Sequence, residues 1–150
     1  MTIPFSSQVV RIGSVSSADQ RLPETLALQN DTFVQVYRER LGFNGDESVI
    51  FEIYDLGLNN LTGGKIEVRE FSTARVYDID AAVLTDGRFV IVWSGEEASN
   101  DRVVEYQIFN PDGTAHGPIR AIPEADDKPV NGLGVTEQSN GGFAIAWSQN

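Results

Sequence analysis

The sequence has no cysteine, which excludes disulfides, thiolate metal sites and cysteine nucleophiles. It is also poor in basic residues: 11 Lys and Arg stand against 22 Asp and Glu, and the formal net charge is −11. A surface this acidic repels nucleic-acid phosphates and anionic lipids, so we predict no nucleic-acid partner and no membrane insertion. The one histidine is His116, and a single histidine without cysteine argues against a zinc site.

Long apolar runs and helical periodicity are missing as well. The run Phe89–Trp93 is far too short to span a bilayer, and no stretch of a dozen residues keeps the apolar period of a helix. The segment Met1–Ser7 has neither the basic nor the apolar region of a cleavable signal peptide. The 150 residues are nonetheless 41% hydrophobic, which is enough for one domain with a core or for a segment of a larger repeat protein.

What the sequence does contain is a turn followed by an apolar strand, present three times. In the clearest copy, Leu84–Trp93, an Asp-Gly turn precedes a strand that is apolar on both faces. The other copies are Asn30–Tyr37 and Asn140–Trp147. A strand with two apolar faces needs cover on both sides, so we predict that these three are inner strands.

The copies carry anchor phenylalanines that are 56 and 54 residues apart, namely Phe33, Phe89 and Phe143. Side chains alternate between the two faces of a strand. We therefore predict that the three rings are buried at equivalent positions. Behind them we expect a second apolar layer, formed by Val36, Val92 and Ala146.

Shorter strands precede and follow each inner strand. Those before it are predicted at Pro23–Leu28, Asp80–Leu84 and Gly134–Thr136. Those after it are predicted at Val49–Tyr54, Lys65–Arg69, Val103–Phe109 and Pro118–Ile122, and one more is predicted ahead of the first unit at Gln8–Ile12. Within Val49–Tyr54, Glu52 alternates with apolar neighbours, and we interpret its face as half-exposed to water.

Four short antiparallel strands recurring about every 55 residues are typical of a propeller blade. We predict an all-β fold, a β-propeller-type array of four-stranded blades with about two and a half repeats. A β-sandwich explains the alternation but does not require so regular a repeat. Residues 1–22 hold an outer strand and a connector, and the units are residues 23–71, 72–123 and, in part, 124–150.

Two and a half blades are too few to close a ring, because propellers have about four to eight. We expect the array to be incomplete or completed by oligomerisation. The chain is then either part of a longer protein or a homo-oligomer, with a symmetric dimer favoured. An open array leaves the strand Phe143–Trp147 with an unpaired edge, which favours association.

The run Leu84–Trp93, followed by Gln107–Gly113, resembles the propeller-like repeats of large secreted bacterial proteins, the RTX-type, hemolysin-like calcium-binding exoproteins and adhesins. The resemblance covers most of the chain from Pro23 onward. It implies a secreted or cell-surface location and a non-enzymatic role as a scaffold or adhesion module, with calcium as an optional ligand. The glycine-aspartate nonapeptide that binds calcium in such proteins is absent, and the composition alone also fits a cytoplasmic protein.

Three aromatic residues end the inner strands at equivalent positions: Tyr37, Trp93 and Trp147. Rings on successive blades can stack on sugars, which would make the protein a carbohydrate-binding, lectin-like propeller. Equally, the rings can fill the space between blades. We favour packing and keep glycan binding as the alternative.

Two acidic loops are the candidates for calcium. The first contains Glu96, Glu97 and Asp101, and the second contains Glu124, Asp126 and Asp127. Calcium takes about six to eight oxygen ligands, and each loop offers two or three carboxylates without the spacing of a calcium loop. Solvated acidic loops are the simpler interpretation.

A hydrolase is the second alternative. His116 would have to act as the base, with a serine and a carboxylate from elsewhere. A glycosidase would need two carboxylates at a fixed separation, which spacing along the chain does not establish. We interpret His116 as a solvent-exposed turn residue and predict no enzymatic activity.

Overall fold

The computed structural model describes residues 18–41, 45–71, 75–97, 101–123 and 130–149. Within these ranges the regular structure consists of β-strands paired antiparallel, and the prediction of an all-β protein is confirmed. The strands are β1 (Asp19–Ala27), β2 (Thr32–Arg40), β3 (Glu47–Asp55), β4 (Ile66–Phe71), β5 (Arg75–Val83), β6 (Phe89–Glu96), β7 (Arg102–Phe109), β8 (Arg120–Ala121), β9 (Val130–Glu137) and β10 (Phe143–Gln149). The strand predicted at Gln8–Ile12 lies outside the described residues.

The strands form three sheets that repeat one order. The first sheet is β1-β2-β3-β4, the second is β5-β6-β7-β8, and the third is the pair β9 and β10. Val36 pairs with Phe51 in the first sheet, and Val92 pairs with Tyr106 at the equivalent place in the second. The described strands form separate sheets and do not close into a ring.

The turn before each inner strand has the same backbone hydrogen bonds in all three sheets. Leu28, Leu84 and Gln138 each donate their N–H to the carbonyl four residues later, at 2.7–2.8 Å. Gly87 and Gly141 take φ values of 86° and 84° there. The first turn reaches the left-handed region with Asn30 and Asp31 instead, at 61° and 57°, because Asn and Asp tolerate that region better than other side chains.

The second sheet lies between the other two. On one face of its inner strand, the side chains of Phe89, Ile91 and Trp93 pack against the first sheet. On the other face, Val90 and Val92 pack against the third sheet. All five side chains are 0% exposed. The predicted cover on both faces of this strand is therefore confirmed.

One aromatic contact occurs at both junctions between sheets. Phe51 of β3 meets Phe89 edge-on, with ring centroids 5.5 Å apart and an interplanar angle of 80°. At the next junction, Tyr106 of β7 meets Phe143 at 5.3 Å and 72°. The four residues occupy equivalent positions in their strands. The repeat therefore includes the packing of one sheet on the next as well as the order of the strands within each sheet.

The prediction that all three anchor phenylalanines are buried is confirmed for Phe89 and wrong for Phe33 and Phe143. Phe89 is fully buried, whereas Phe33 and Phe143 are half-buried. In the layer behind, Val36 and Val92 are fully buried but Ala146 is exposed.

Phe33 lies on the face of β2 that is turned away from the second sheet, since its neighbours Val34 and Val36 pack toward Phe89. Phe143 faces the second sheet, but its own sheet has only two described strands, so it lacks the flanking ring that Phe109 gives Phe89. Ala146 lies on the opposite face of β10, which has no neighbouring sheet among the described residues.

The interpretation of one β3 face as half-exposed is also wrong. Ile50, Glu52 and Tyr54 are all less than 9% exposed. The Glu52 carboxylate accepts a hydrogen bond from the Tyr37 hydroxyl at 3.0 Å and another from the Asn60 side-chain amide at 2.8 Å. A buried carboxylate is tolerated when such donors replace water.

Candidate functional site

Trp93, one of the three aromatic candidates, is completely buried. Its indole N–H donates to a carboxylate oxygen of Glu105 at 3.0 Å, and Arg69 Nε donates to the same oxygen at 3.1 Å. Arg69 belongs to the first sheet and Glu105 to the second, so Trp93 takes part in the contact between them. Its ring has no face open to a sugar in this arrangement.

Tyr37 lies in β2 of the first sheet, and Trp147 lies in β10 of the third sheet. Tyr37 is 3% exposed, and burial together with the neighbouring Glu52 carboxylate raises the pKa of its hydroxyl well above the usual value. Trp147 is half-buried and packs in a cluster that contains Val92 and Val104 of the second sheet. The three aromatic side chains therefore occupy separate layers and do not form one open surface.

The first acidic loop carries carboxylates that already have partners. Glu96 pairs with Arg102 at 3.2 Å and accepts a hydrogen bond from the Tyr77 hydroxyl. Glu97 pairs with Arg69 at 2.6 Å. Arg102 and the Tyr77 hydroxyl therefore share one oxygen of Glu96, and Arg69 takes one oxygen of Glu97.

The other predicted calcium ligands add no metal site in the described chain. The backbone carbonyl of Asp101 accepts a hydrogen bond from the Glu97 N–H at 2.9 Å. In the ranges that the structure describes, no group of three or more His, Cys, Asp or Glu side chains could hold a metal ion. The second acidic loop, with Glu124, Asp126 and Asp127, lies outside the described residues.

His116 is exposed in the turn after β7, and its backbone N–H donates to the Ile108 carbonyl at 2.8 Å. The prediction that it is an exposed turn residue is confirmed.

Sequence reasoning missed a polar contact that joins the first sheet to the second. Glu47 of β3 is 3% exposed, and its carboxylate accepts the backbone N–H of Val76 in β5 at 2.7 Å. Arg38 donates to the Val76 carbonyl at 3.2 Å and to Glu47 at 3.4 Å. One acidic and one basic side chain thus bind both backbone groups of a single residue in the next sheet.

A second missed contact joins the second sheet to the third. Asp78 and Asp80 of β5 accept the backbone N–H groups of Leu133 and Val135 in β9, at 2.8 and 2.6 Å. Donor and acceptor are 55 residues apart in each case, which is the repeat length. The sequence shows that Asp78 and Asp80 lie on the same face of a strand. Only the stacking of the sheets shows that β9 is the strand that donates to them.

Glu24 of β1 lies near this pair of aspartates. Partial burial raises the pKa of its carboxyl, and the negative charges of Asp80 and Asp78 raise it further. The folded protein therefore holds the Glu24 proton more tightly than the unfolded chain does. This contribution to stability is present at low pH and is lost as the pH rises through the folded-state pKa.

We therefore expect Glu24→Gln to raise the melting temperature at pH 7, because it removes an unfavourable charge. The rise should be small, about 1–3 °C, and should vanish near pH 3, where Glu24 is protonated in the wild type. The exposed Glu70→Gln variant is the matched control, since it removes the same net charge elsewhere. A Glu24→Gln effect equal at both pH values, or no larger than that of the control, would contradict the assignment.

Comparison with models of protein families, with curated proteins and with solved structures finds no match to this chain. Nor does the described part contain a helix with the length and apolar character needed to cross a bilayer. The class defined by the geometry is an all-β protein in which stacked antiparallel sheets are joined by aromatic contacts and buried polar bonds.

Proposed function

We propose that this chain is a run of consecutive propeller-type blades that serves as a non-enzymatic scaffold or adhesion module of a secreted or surface bacterial protein. The observation that carries the proposal is the aromatic contact that recurs between sheets, Phe51 with Phe89 and Tyr106 with Phe143. A β-sandwich has one such interface between two sheets. Blades stacked around an axis repeat the same interface with each unit.

The use of the polar side chains supports a scaffold. Glu47, Glu105, Asp78 and Asp80 all bind groups of a neighbouring sheet. Glu47 and Glu105 are buried and Asp78 and Asp80 are half-buried. These carboxylates hold one sheet in register with the next, because each has a specific backbone or arginine donor. Their hydrogen-bonding capacity serves the assembly of the blades rather than a substrate.

The repeated interface is tested by double-mutant cycles at both junctions. Replacing Phe51 and Phe89 with leucine, singly and together, should give a coupling energy of about 0.5–1.5 kcal/mol, as for other edge-on aromatic pairs. The pair Tyr106 and Phe143 should give a similar value. The matched control combines Phe51→Leu with Phe143→Leu, which belong to different junctions and should act additively. Coupling at the first junction alone would contradict the array.

Two results would contradict a non-enzymatic scaffold role. Turnover of a glycoside, ester or peptide substrate that disappears when one carboxylate is changed would show an enzyme. Binding on a glycan array that Trp147→Ala abolishes, with the melting temperature unchanged, would show the lectin-like alternative. A scaffold is expected to give neither result.

A further inference from the structure

The first junction between sheets contains three aromatic rings that touch one another, whereas the second contains two. At the first junction, Phe51 lies edge-on to Phe89 and to Phe109, with ring centroids 5.5 and 4.8 Å away. At the second, Tyr106 takes the place of Phe51, and Phe143 takes the place of Phe89. In the described chain β10 pairs only with β9, so no described strand supplies the third ring.

Apolar side chains around the place of this third ring are only partly covered. Tyr106 and Ile108 of β7 are half-buried, whereas Phe51 and Ile53, which hold the same positions in β3, are 0% and 2% exposed. Phe143, on the other side of this place, is also half-buried. Open apolar surface beside a free strand edge is the combination that binds an extended peptide as an added strand.

The free edge of β10 presents backbone groups that face a partner strand in the second sheet. There, the Arg88 carbonyl accepts the turn bond and so faces β5, and the next residue, Phe89, therefore directs its N–H and carbonyl toward β7. In the third sheet, the Gly142 carbonyl accepts the same turn bond. Phe143 and, two residues later, Ile145 thus direct their N–H and carbonyl groups toward the free edge.

The strands that hold this place in the other two sheets show what chemistry the edge accepts. Tyr54 stacks on Phe33 at 5.6 Å and 19°, and Phe109 stacks on Phe89 at 5.4 Å and 20°. The four residues that end with this ring are Phe-Glu-Ile-Tyr in β3 and Tyr-Gln-Ile-Phe in β7. We call the shared pattern of aromatic, Glu or Gln, isoleucine and aromatic the ring motif.

We propose that the free edge of β10 binds an extended segment of a partner protein that carries the ring motif, paired antiparallel to β10. The last aromatic ring of the motif stacks on Phe143 and completes the three-ring contact with Tyr106. Main-chain hydrogen bonds provide the affinity, and the place for the ring provides the specificity. A second copy of this chain is not the partner, because both of its ring motifs are already paired within their own sheets, in β3 and β7.

The probe is a ten-residue peptide with the sequence of residues 102–111, blocked at both ends, which contains one arginine and one glutamate and is therefore neutral. Isothermal titration calorimetry with the full chain should give a dissociation constant of about 50 µM, since one added strand makes only a few main-chain bonds. In hydrogen exchange, the bound peptide should protect the amides of Phe143 and Ile145.

Two methylated peptides of equal composition separate edge pairing from unspecific apolar binding. N-methyl groups at the positions of Gln107 and Phe109 remove the N–H groups that face β6 in the second sheet, and those at Tyr106 and Ile108 remove the ones that face away from it. The first peptide should bind at least about tenfold more weakly than the unmodified one, whereas the second should stay within about threefold.

Ile145→Pro and Ile145→Ala are the matched variants of the chain. Both shorten the side chain, but only proline removes the N–H at the free edge, a position that an edge strand tolerates. Peptide binding should be at least about tenfold weaker in Ile145→Pro than in Ile145→Ala. Circular dichroism checks that both variants fold, and the methylated peptides test the same contact on the unchanged chain.

The proposal is overturned if the unmodified peptide does not bind at 1 mM or if the two methylated peptides bind equally well. Equal binding to the folded Ile145→Pro and Ile145→Ala variants, or protection at another sheet edge instead of β10, would overturn it as well. This inference rests on the proposed scaffold role and names its partner. Coupling at both junctions without peptide binding would contradict the partner site alone, whereas peptide binding without coupling would contradict the blade array alone.

Discussion

Phe89→Ala is expected to lower the free energy of unfolding by about 3–5 kcal/mol, the range for removing a large buried aromatic side chain. The Phe89 ring is 0% exposed and touches Phe51 and Phe109, with centroids 5.5 and 5.4 Å away. Its strand has a sheet on each face, so the neighbouring backbones cannot move inward to fill the cavity. Urea unfolding followed by circular dichroism measures the change.

Phe33→Ala is the control, because Phe33 occupies the equivalent position of the first sheet. It stacks on Tyr54 at 5.6 Å and 19°, just as Phe89 stacks on Phe109 at 5.4 Å and 20°. Phe33 is only half-buried, so its removal should cost about 1–2 kcal/mol. If the two substitutions cost the same, or if Phe89→Ala costs less than about 1 kcal/mol, β6 is not the central strand of the row.

Glu47→Ala should destabilise the protein by a similar amount, about 3–5 kcal/mol, as expected when one partner of a buried charged pair is removed. The substitution leaves the Arg38 guanidinium without its nearer carboxylate, with Asp19 at 3.9 Å as the one that remains, and leaves the Val76 N–H without its acceptor. Both groups are shielded from water, which cannot replace the lost bonds fully. Thermal and urea unfolding would both report the loss.

Two further variants make the Glu47 result specific. Glu47→Gln keeps an acceptor for Val76 but loses the charge, so it should cost less than Glu47→Ala. Glu67→Ala removes an exposed glutamate that accepts the Ser48 hydroxyl at 3.0 Å, and it should stay within about 0.5 kcal/mol of the wild type. Equal effects of Glu47→Ala and Glu67→Ala would exclude the proposed polar link between the sheets.

The strands were predictable because their signals are local. Asp-Gly and Asn-Gly turns fix where β6 and β10 begin, and alternation of apolar side chains identifies their neighbours. The place of each sheet in the row is not local information. Phe33, Phe89 and Phe143 each follow a turn at the start of an inner strand, yet Phe33 faces away from the second sheet and Phe143 belongs to a sheet of two described strands, so Phe89 is the most buried of the three.

The polar contacts could not be predicted for the same reason. Glu47 and Glu52 look like charges at the end and on the wet face of a strand, yet both are buried. Each is stabilised by donors that the chain brings from other strands: Val76 for Glu47, and Tyr37 for Glu52. A residue pattern shows which side chains share a face of a strand, but not which donors arrive on that face from elsewhere.

The bonds from Asp78 and Asp80 to β9 have a consequence for how the molecule opens. Among the described residues, the apolar side chains of the third sheet pack against the second sheet, whereas the second sheet is packed on both faces. In such a nearest-neighbour system, releasing the end unit breaks one junction, while releasing the middle unit breaks two. Amide protons of β10 should therefore exchange with solvent through a sub-global opening, and those of β6 only when the whole row unfolds. Within the described strands, we therefore expect local stability to fall from β6 toward β10.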